Sequence, residues 1–241
     1  MTVYSSEFFA NRRPNVARSA HVIVPLVFEF LMPTSVIDIG CGTGDFLKVF
    51  ADHGVRDFLG IDGDYIDRSQ LSIPHEKFQL MNLSLPFHLE RIYDLAVCLE
   101  VAEHLAPACA STFIASLTSL APIILFSAAI PFQGGEHHVN EQWPDYWISL
   151  FREHGFIVVD ALRKHIWNNT LVSYWYRQNA FLFCSQQALA CNPHLQRERD
   201  ATGDMLSVVH PEAFLAMHTD YERQFRIPLE IKRRIRIIIG H

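Results

Sequence analysis

At 241 residues, 49% of them hydrophobic and 18 of them phenylalanine, the chain is long enough to bury a full core without covalent staples, which excludes disorder throughout. A formal charge of −6 argues against a general nucleic-acid binder, so no nucleic-acid partner is expected. The five cysteines, Cys41, Cys98, Cys109, Cys184 and Cys191, form no CxxC pair, and neither a disulfide framework nor a zinc ribbon is indicated.

In chain order, residues 19–31 read as a helix packed on an apolar surface, interrupted or started by Pro25 and broken by Met32-Pro33-Thr34. Ser35-Val36-Ile37-Asp38-Ile39 is a short β-branched run ending in glycines, the pattern of a buried strand. A helix over 45–53 follows, stopped by Gly54. Strands are then expected at 57–61, 78–81, 93–99, 123–127, 156–161 and 180–184, with helices at 64–71, 109–120 and 145–154. Strands alternating with helices predict an α/β fold with a doubly wound, mostly parallel seven-stranded sheet, its ligand crevice at the strand C-termini.

Beyond residue 186 the pattern changes. Residues 192–210 are polar without clear periodicity, 211–225 read as one helix, and 231–239 are basic and apolar together. The boundaries expected are a core domain over 1–187 and a C-terminal helical extension over 188–241. The tail suits either a plain packed helix or peripheral contact with a membrane surface or partner.

Asp38-Ile39-Gly40-Cys41-Gly42-Thr43-Gly44 lies between the first strand and its helix, where glycines let a ligand approach the main chain. A dinucleotide fingerprint would place its third glycine at 45, yet that position is Asp45, a carboxylate that a pyrophosphate on the helix N-terminus would meet unfavourably. An NAD(P)-dependent oxidoreductase is disfavoured for that reason. A ligand without phosphate and with positive charge tolerates these acids.

The stretch 38–44 resembles motif I of the class I S-adenosylmethionine (SAM)-dependent methyltransferases, and the similarity extends over about residues 20–185. The resemblance implies SAM as cofactor, contacted by Asp38, Gly40, Cys41, Gly42 and Gly44. It further implies that Asp62, with Gly63, binds the ribose hydroxyls, a cis-diol that a carboxylate can accept from twice. The family's acid facing the adenine is Asn82 here, with the main chain of Leu83 as its companion. That departure keeps open an inactive methyltransferase-like binding subunit. In the segment from Cys98 to Leu105 the resemblance places the Cys98 backbone and Glu100 at the methionine end of SAM.

The acceptor side is sought in residues 129–144, which follow the fifth strand and hold glycines, amides, carboxyls and two histidines. His138 is the candidate base or acceptor-binding group, with His137 in reserve because adjacent histidines in extended chain face opposite sides. His104 either approaches the acceptor or caps the following helix. Because His137, His138 and Glu141 lack HxxxH or HExxH spacing, no metal is expected. Aromatics beside amides in 165–179 suit a sugar or another polar ring. The function expected is O-methylation of a small polar acceptor such as a sugar or a glycan or natural-product precursor. Residues 1–15 hold no apolar leader, and no run approaches the roughly 18 apolar residues of a membrane span, so a cytoplasmic location is expected.

Overall fold

The protein is described from a computed structural model covering residues 6–225; the basic, apolar stretch 231–239 lies outside them. The strands are β1 (Ser35–Ile39), β2 (Asp57–Asp62), β3 (Phe78–Leu80), β4 (Leu95–Leu99), β5 (Ile123–Ser127), β6 (Phe156–Val159) and β7 (Phe181–Ser185). They form one seven-stranded sheet in the order β3-β2-β1-β4-β5-β7-β6, in which β7 runs antiparallel to both neighbours and the other pairs are parallel. The chain winds outward from β1 through β2 to β3, then returns to place β4 on the other side of β1. Loops leaving β1 and β4 therefore diverge, and a crevice opens between them.

One face of the sheet is covered by α1 (Ser6–Phe30) and α2 (Asp45–Asp52), the other by α3 (Ala110–Thr118) and α4 (Pro144–Glu153). Helix α1 runs through both Pro14 and Pro25, so the interruption expected at Pro25 does not occur. Ala20, Ile23, Val24 and Val27 recur at helical spacing and are fully buried. Burying each of the larger ones contributes about 1.5–3 kcal/mol, enough together to outweigh the ~3 kcal/mol cost of an internal proline.

The helix expected over 64–71 is absent. Only a 3₁₀ turn, Arg68–Gln70, forms there. The Asp67 carboxylate accepts from Ser69 N at 3.0 Å and Ser69 Oγ at 2.7 Å, a local solution that competes with helix formation.

After β6 come α5 (Arg163–Ile166) and α6 (Tyr174–Asn179); after β7 come α7 (Gln186–Ala190), α8 (Pro193–Ala201) and α9 (Pro211–Phe225). Helix α8 falls where no periodicity was visible, because its start rests on a cap rather than a pattern. Asn192 Oδ1 accepts from the amides of His194 and Leu195 at 3.0 and 3.1 Å. Leu189 and Leu195 are buried in the same core as α1. Arg163 binds the segment beyond 186 to the sheet: it pairs with Asp160, donates to the carbonyls of Gln178 and Leu206 at 3.1 and 2.9 Å, and lies 4.2 Å over the Phe181 ring. No described helix is long and apolar enough to cross a membrane.

Candidate functional site

A cleft of about 970 Å³ opens at the C-terminal ends of β1, β2 and β4. Its two ends differ in chemistry. The first is built on the glycine loop and is acidic.

The backbone of Gly40 has φ +77°, and a Cβ there would lie 2.4 Å from Val101 Cγ2. No side chain fits, and the loop main chain is left bare toward the cleft. Gly40, Cys41 and Gly42 line it, whereas Gly44 caps α2 and faces Ile73 behind the wall. Asp62, at the end of β2, ties this loop to its own strand. Its Oδ2 accepts from Gly42 N at 2.7 Å, and its Oδ1 accepts from Gly63 N at 2.7 Å and from the Tyr65 hydroxyl. Burial raises the Asp62 carboxyl above the usual carboxylate range, and these three donors oppose the shift.

Asp38 stands beside it at the end of β1. Burial first, then repulsion from Asp62 and Asp45, holds its carboxyl well above the ordinary range. Asp45, the acid at the helix start, accepts from Thr43 Oγ1, Ser72 Oγ and Arg13 Nε. Arg13 comes from α1 and brings a guanidinium to a wall otherwise lined by acids. Asn82 and Leu83 also line the cleft; the Asn82 amide oxygen already accepts from Ser84 N at 3.0 Å. Such an end suits a cation carrying a ribose and suits a pyrophosphate poorly.

Cys98 lies elsewhere than expected. It is fully buried inside β4, and Leu99 and Glu100 take the wall position instead. Glu100 sits at φ +55°, an uncommon conformation for a residue with a side chain. Its N–H donates to both the carbonyl and the hydroxyl of Ser127, which fixes the strained turn. Its carboxylate accepts from Gln133 Nε2 at 2.8 Å and Asn179 Nδ2 at 3.3 Å.

The other end of the cleft carries the histidines. His104, His137 and His138 all line it, and the rings of His104 and His138 meet edge to face with centroids 4.8 Å apart. The loop after β5 is pinned by main-chain bonds, because Val139 N and Asn140 N both donate to the Glu103 carbonyl, at 2.9 and 3.0 Å. Glu141 organises the rest, its carboxylate accepting from Phe132 N, Gly134 N and His138 Nδ1 at 2.8, 2.9 and 2.9 Å. A carboxylate only accepts, so Nδ1 carries a proton and Nε2 points away from Glu141. His137 is exposed, while the His138 side chain is 9% exposed. Glu141 thus pairs with His138 through Nδ1 rather than joining a group with His137. Tyr174, Trp175 and Tyr176 close the cleft on the α6 side.

The sequence gives no role to Arg13 or Glu103, and offers Gln133 and Asn179 only as members of the amide-bearing segments 129–144 and 165–179. Arg13 and Asn179 carry no local signal, since each reaches the site across more than 30 positions of chain. The acid spacing of Glu100 and Glu103 was visible, but not its burial.

A family model described as "Methyltransferase domain" matches residues 8–169. A search of curated protein sequences returns no match. Among solved structures, the sugar N-methyltransferase KedS8 from Streptoalloteichus sp ATCC 53650 is similar over 74% of this chain and 91% of its own, at 14% identity and a TM-score of 0.58. DesVI from Streptomyces venezuelae is similar over 74% and 95%, at 14% identity and a TM-score of 0.53. The magnesium protoporphyrin IX methyltransferase from Synechocystis PCC 6803, crystallised with SAH, is similar over 71% and 84%, at 19% identity and a TM-score of 0.51. At such identities the likeness is one of fold.

Proposed function

The chain belongs to the class I SAM-dependent methyltransferases, and we propose that within this family it methylates an oxygen of a small polar acceptor, a sugar or a related glycan or natural-product precursor. One observation carries the reading: a single cleft joins an acidic, glycine-walled end to an end lined by histidines.

SAM supplies a methyl group already activated by its sulfonium, so the protein's share is alignment and, for a hydroxyl acceptor, proton removal. Gly40, Cys41 and Gly42 would present main chain to the cofactor, Asp62 and Gly63 its ribose site, and Asn82 and Leu83 its adenine site. Asp38 and Glu100 would face the cationic methionine part, with Arg13 suited to its carboxylate. The main chain of Leu99 replaces that of Cys98 in this assignment. His138 activates the acceptor: its ring lines the cleft and Glu141 holds it through Nδ1. The aromatic wall of Tyr174, Trp175 and Tyr176 beside Gln133 supports a sugar-like ring. We place the reaction in the cytoplasm.

The test is incubation with methyl-labelled SAM and fractionated extract of the source cell, followed by mass analysis of what gains a methyl group. The expected product is an O-methylated small polar molecule. If the protein binds SAH and no fraction gains label, the reading fails in favour of an inactive binding subunit.

Asp38 makes cofactor binding depend on pH. Its carboxyl is raised in the folded chain, so it protonates at a higher pH than an exposed aspartate. A cation arriving beside it favours the ionised form, and binding therefore releases protons. SAM affinity should fall on the acid limb, by up to about tenfold per pH unit for one linked proton. Asp38→Asn should flatten this limb in calorimetric titrations across pH. A flat profile in the parent protein would remove Asp38 from the cofactor site.

A further inference from the structure

Glu103 poses a problem that the methyltransferase reading leaves unsolved. Its side chain is 0% exposed, and neither carboxylate oxygen has a hydrogen bond of ordinary length and angle; the amides of Glu103 and Ala129 and the Glu100 carboxyl are its polar neighbours. Burial and the nearby Glu100 both raise its carboxyl well above the ordinary range, only partly offset by the amides of Glu103 and Ala129. A buried carboxylate is ordinarily paired, hydrogen-bonded or bound to a metal. No arginine or lysine pairs with it among the described residues.

What does approach it is a pair of imidazoles. Single ligand atoms from Glu103, His104 and His138 all lie within 4.8 Å of one another. We propose that these three residues bind a divalent transition-metal ion at the histidine end of the cleft.

The chemistry of the set fits such an ion. Two imidazole nitrogens and one carboxylate suit Zn²⁺, Mn²⁺, Fe²⁺ or Co²⁺, whereas Mg²⁺ and Ca²⁺ favour oxygen ligands. Ligands held at about 2.0–2.2 Å from one ion lie roughly 3.0–3.4 Å apart, so binding draws the three in by about an ångström, within reach of side-chain rotation. His138 is already oriented for the task. Its Nδ1–H donates to Glu141 at 2.9 Å, which directs Nε2 away from that carboxylate, the carboxylate–histidine arrangement common behind metal ligands. The Nε2 edge of the His138 ring packs against Gly135, where only a glycine leaves room for it, since a Cβ there would lie 2.2 Å from Nε2. Glu100 adds a carboxyl nearby, held in place by Gln133 and Asn179.

His104 and His138 line the cleft, while Glu103 stands behind them. The ion's open positions therefore face the acceptor. A consequence, which rests on the proposed methylation, is that the ion binds adjacent oxygens of a polyol and acidifies the one to be methylated. With the ion in place the Nε2 lone pair of His138 belongs to the metal. The acceptor proton, acidified by the ion, then passes to solvent water in the open cleft, while the methyl moves from the sulfonium to the oxygen and SAH leaves.

The test uses the full chain, stripped with a chelator and titrated calorimetrically with Co²⁺, Zn²⁺, Mn²⁺ and Mg²⁺, with the visible absorption of Co²⁺ as a second readout. One equivalent of Co²⁺ or Zn²⁺ should bind, with Mg²⁺ much weaker. Glu103→Gln and His138→Ala should each weaken Co²⁺ binding about 100-fold or more, and Glu141→Gln about tenfold, the range seen when partners behind a ligand are removed. SAH affinity, measured in parallel, should stay within about twofold of the parent, which also reports that each variant has folded. No binding of Co²⁺ or Zn²⁺ at millimolar concentration, or equal Co²⁺ affinity in the parent and in a folded variant of Glu103 or His138, overturns the metal site. Loss of SAH binding in the parent overturns the functional reading instead and leaves the metal result standing.

Discussion

Asp62→Ala is expected to weaken SAM and SAH binding by about 100-fold or more, beyond what removal of one ribose contact would cause. The carboxylate has two tasks. It faces the cleft, and it holds the glycine loop by accepting from the amides of Gly42 and Gly63 and from the Tyr65 hydroxyl. Truncation leaves those amides without their acceptor in a part-buried setting, at about 1–3 kcal/mol for each group so orphaned. The loop can recover that energy only by moving, and movement destroys the surface on which the cofactor lies. Asp62→Asn should fall between parent and alanine variant, because one amide oxygen survives while an NH₂ group is turned toward a backbone donor. Calorimetry with SAH gives the measurement, with circular dichroism to show that the sheet persists. Affinity within twofold of the parent in Asp62→Ala would refute both tasks.

The glycine-walled end of the cleft was largely legible in the sequence, since its determinants are local. A β-branched run followed by closely spaced glycines fixes a strand, a turn and a helix within one short stretch, and Asp62 ends the next strand in the same way. Misreadings arose where side chains overrode a local pattern. Asp67 bonds to Ser69 and replaces the helix expected over 64–71, and Asn192 starts a helix that no periodicity announces. In α1 the reverse holds, as burial of Ile23, Val24 and Val27 carries the helix through a proline that local rules treat as a break.

The acceptor end was legible only as a list of residue types. Both His137 and His138 line the cleft, because φ +60° at His137 breaks the extended chain that would turn them to opposite sides, and Glu141 holds only His138. That bond also accounts for the different ligand group. Adjacent His137 and His138 look like partners in sequence, whereas the folded loop gives His138 to His104 and Glu103. Chain spacing held no trace of that exchange.

His138→Ala should lower kcat by about 10²–10⁴-fold while leaving SAH affinity within about twofold of the parent, the range expected when a group acting on the acceptor proton is lost. The ring lines the cleft from the loop after β5, against His104 and with its Nδ1 bound to Glu141, whereas Asp62 ends β2. Whether its Nε2 takes the proton or holds an ion that acidifies the acceptor, the loss falls on turnover rather than on cofactor binding. Two further readings separate these routes. If Nε2 is the base, added imidazole should restore part of the rate, and chelator treatment of the parent should leave it unchanged. If Nε2 is a ligand, chelation of the parent should reproduce the variant's defect, and Co²⁺ or Zn²⁺ should reverse it in the parent alone. His137→Ala serves as the internal control: that ring is exposed, and its removal should change kcat by less than about threefold. A rate in His138→Ala within threefold of the parent, measured with saturating SAM, would place acceptor activation elsewhere in the cleft.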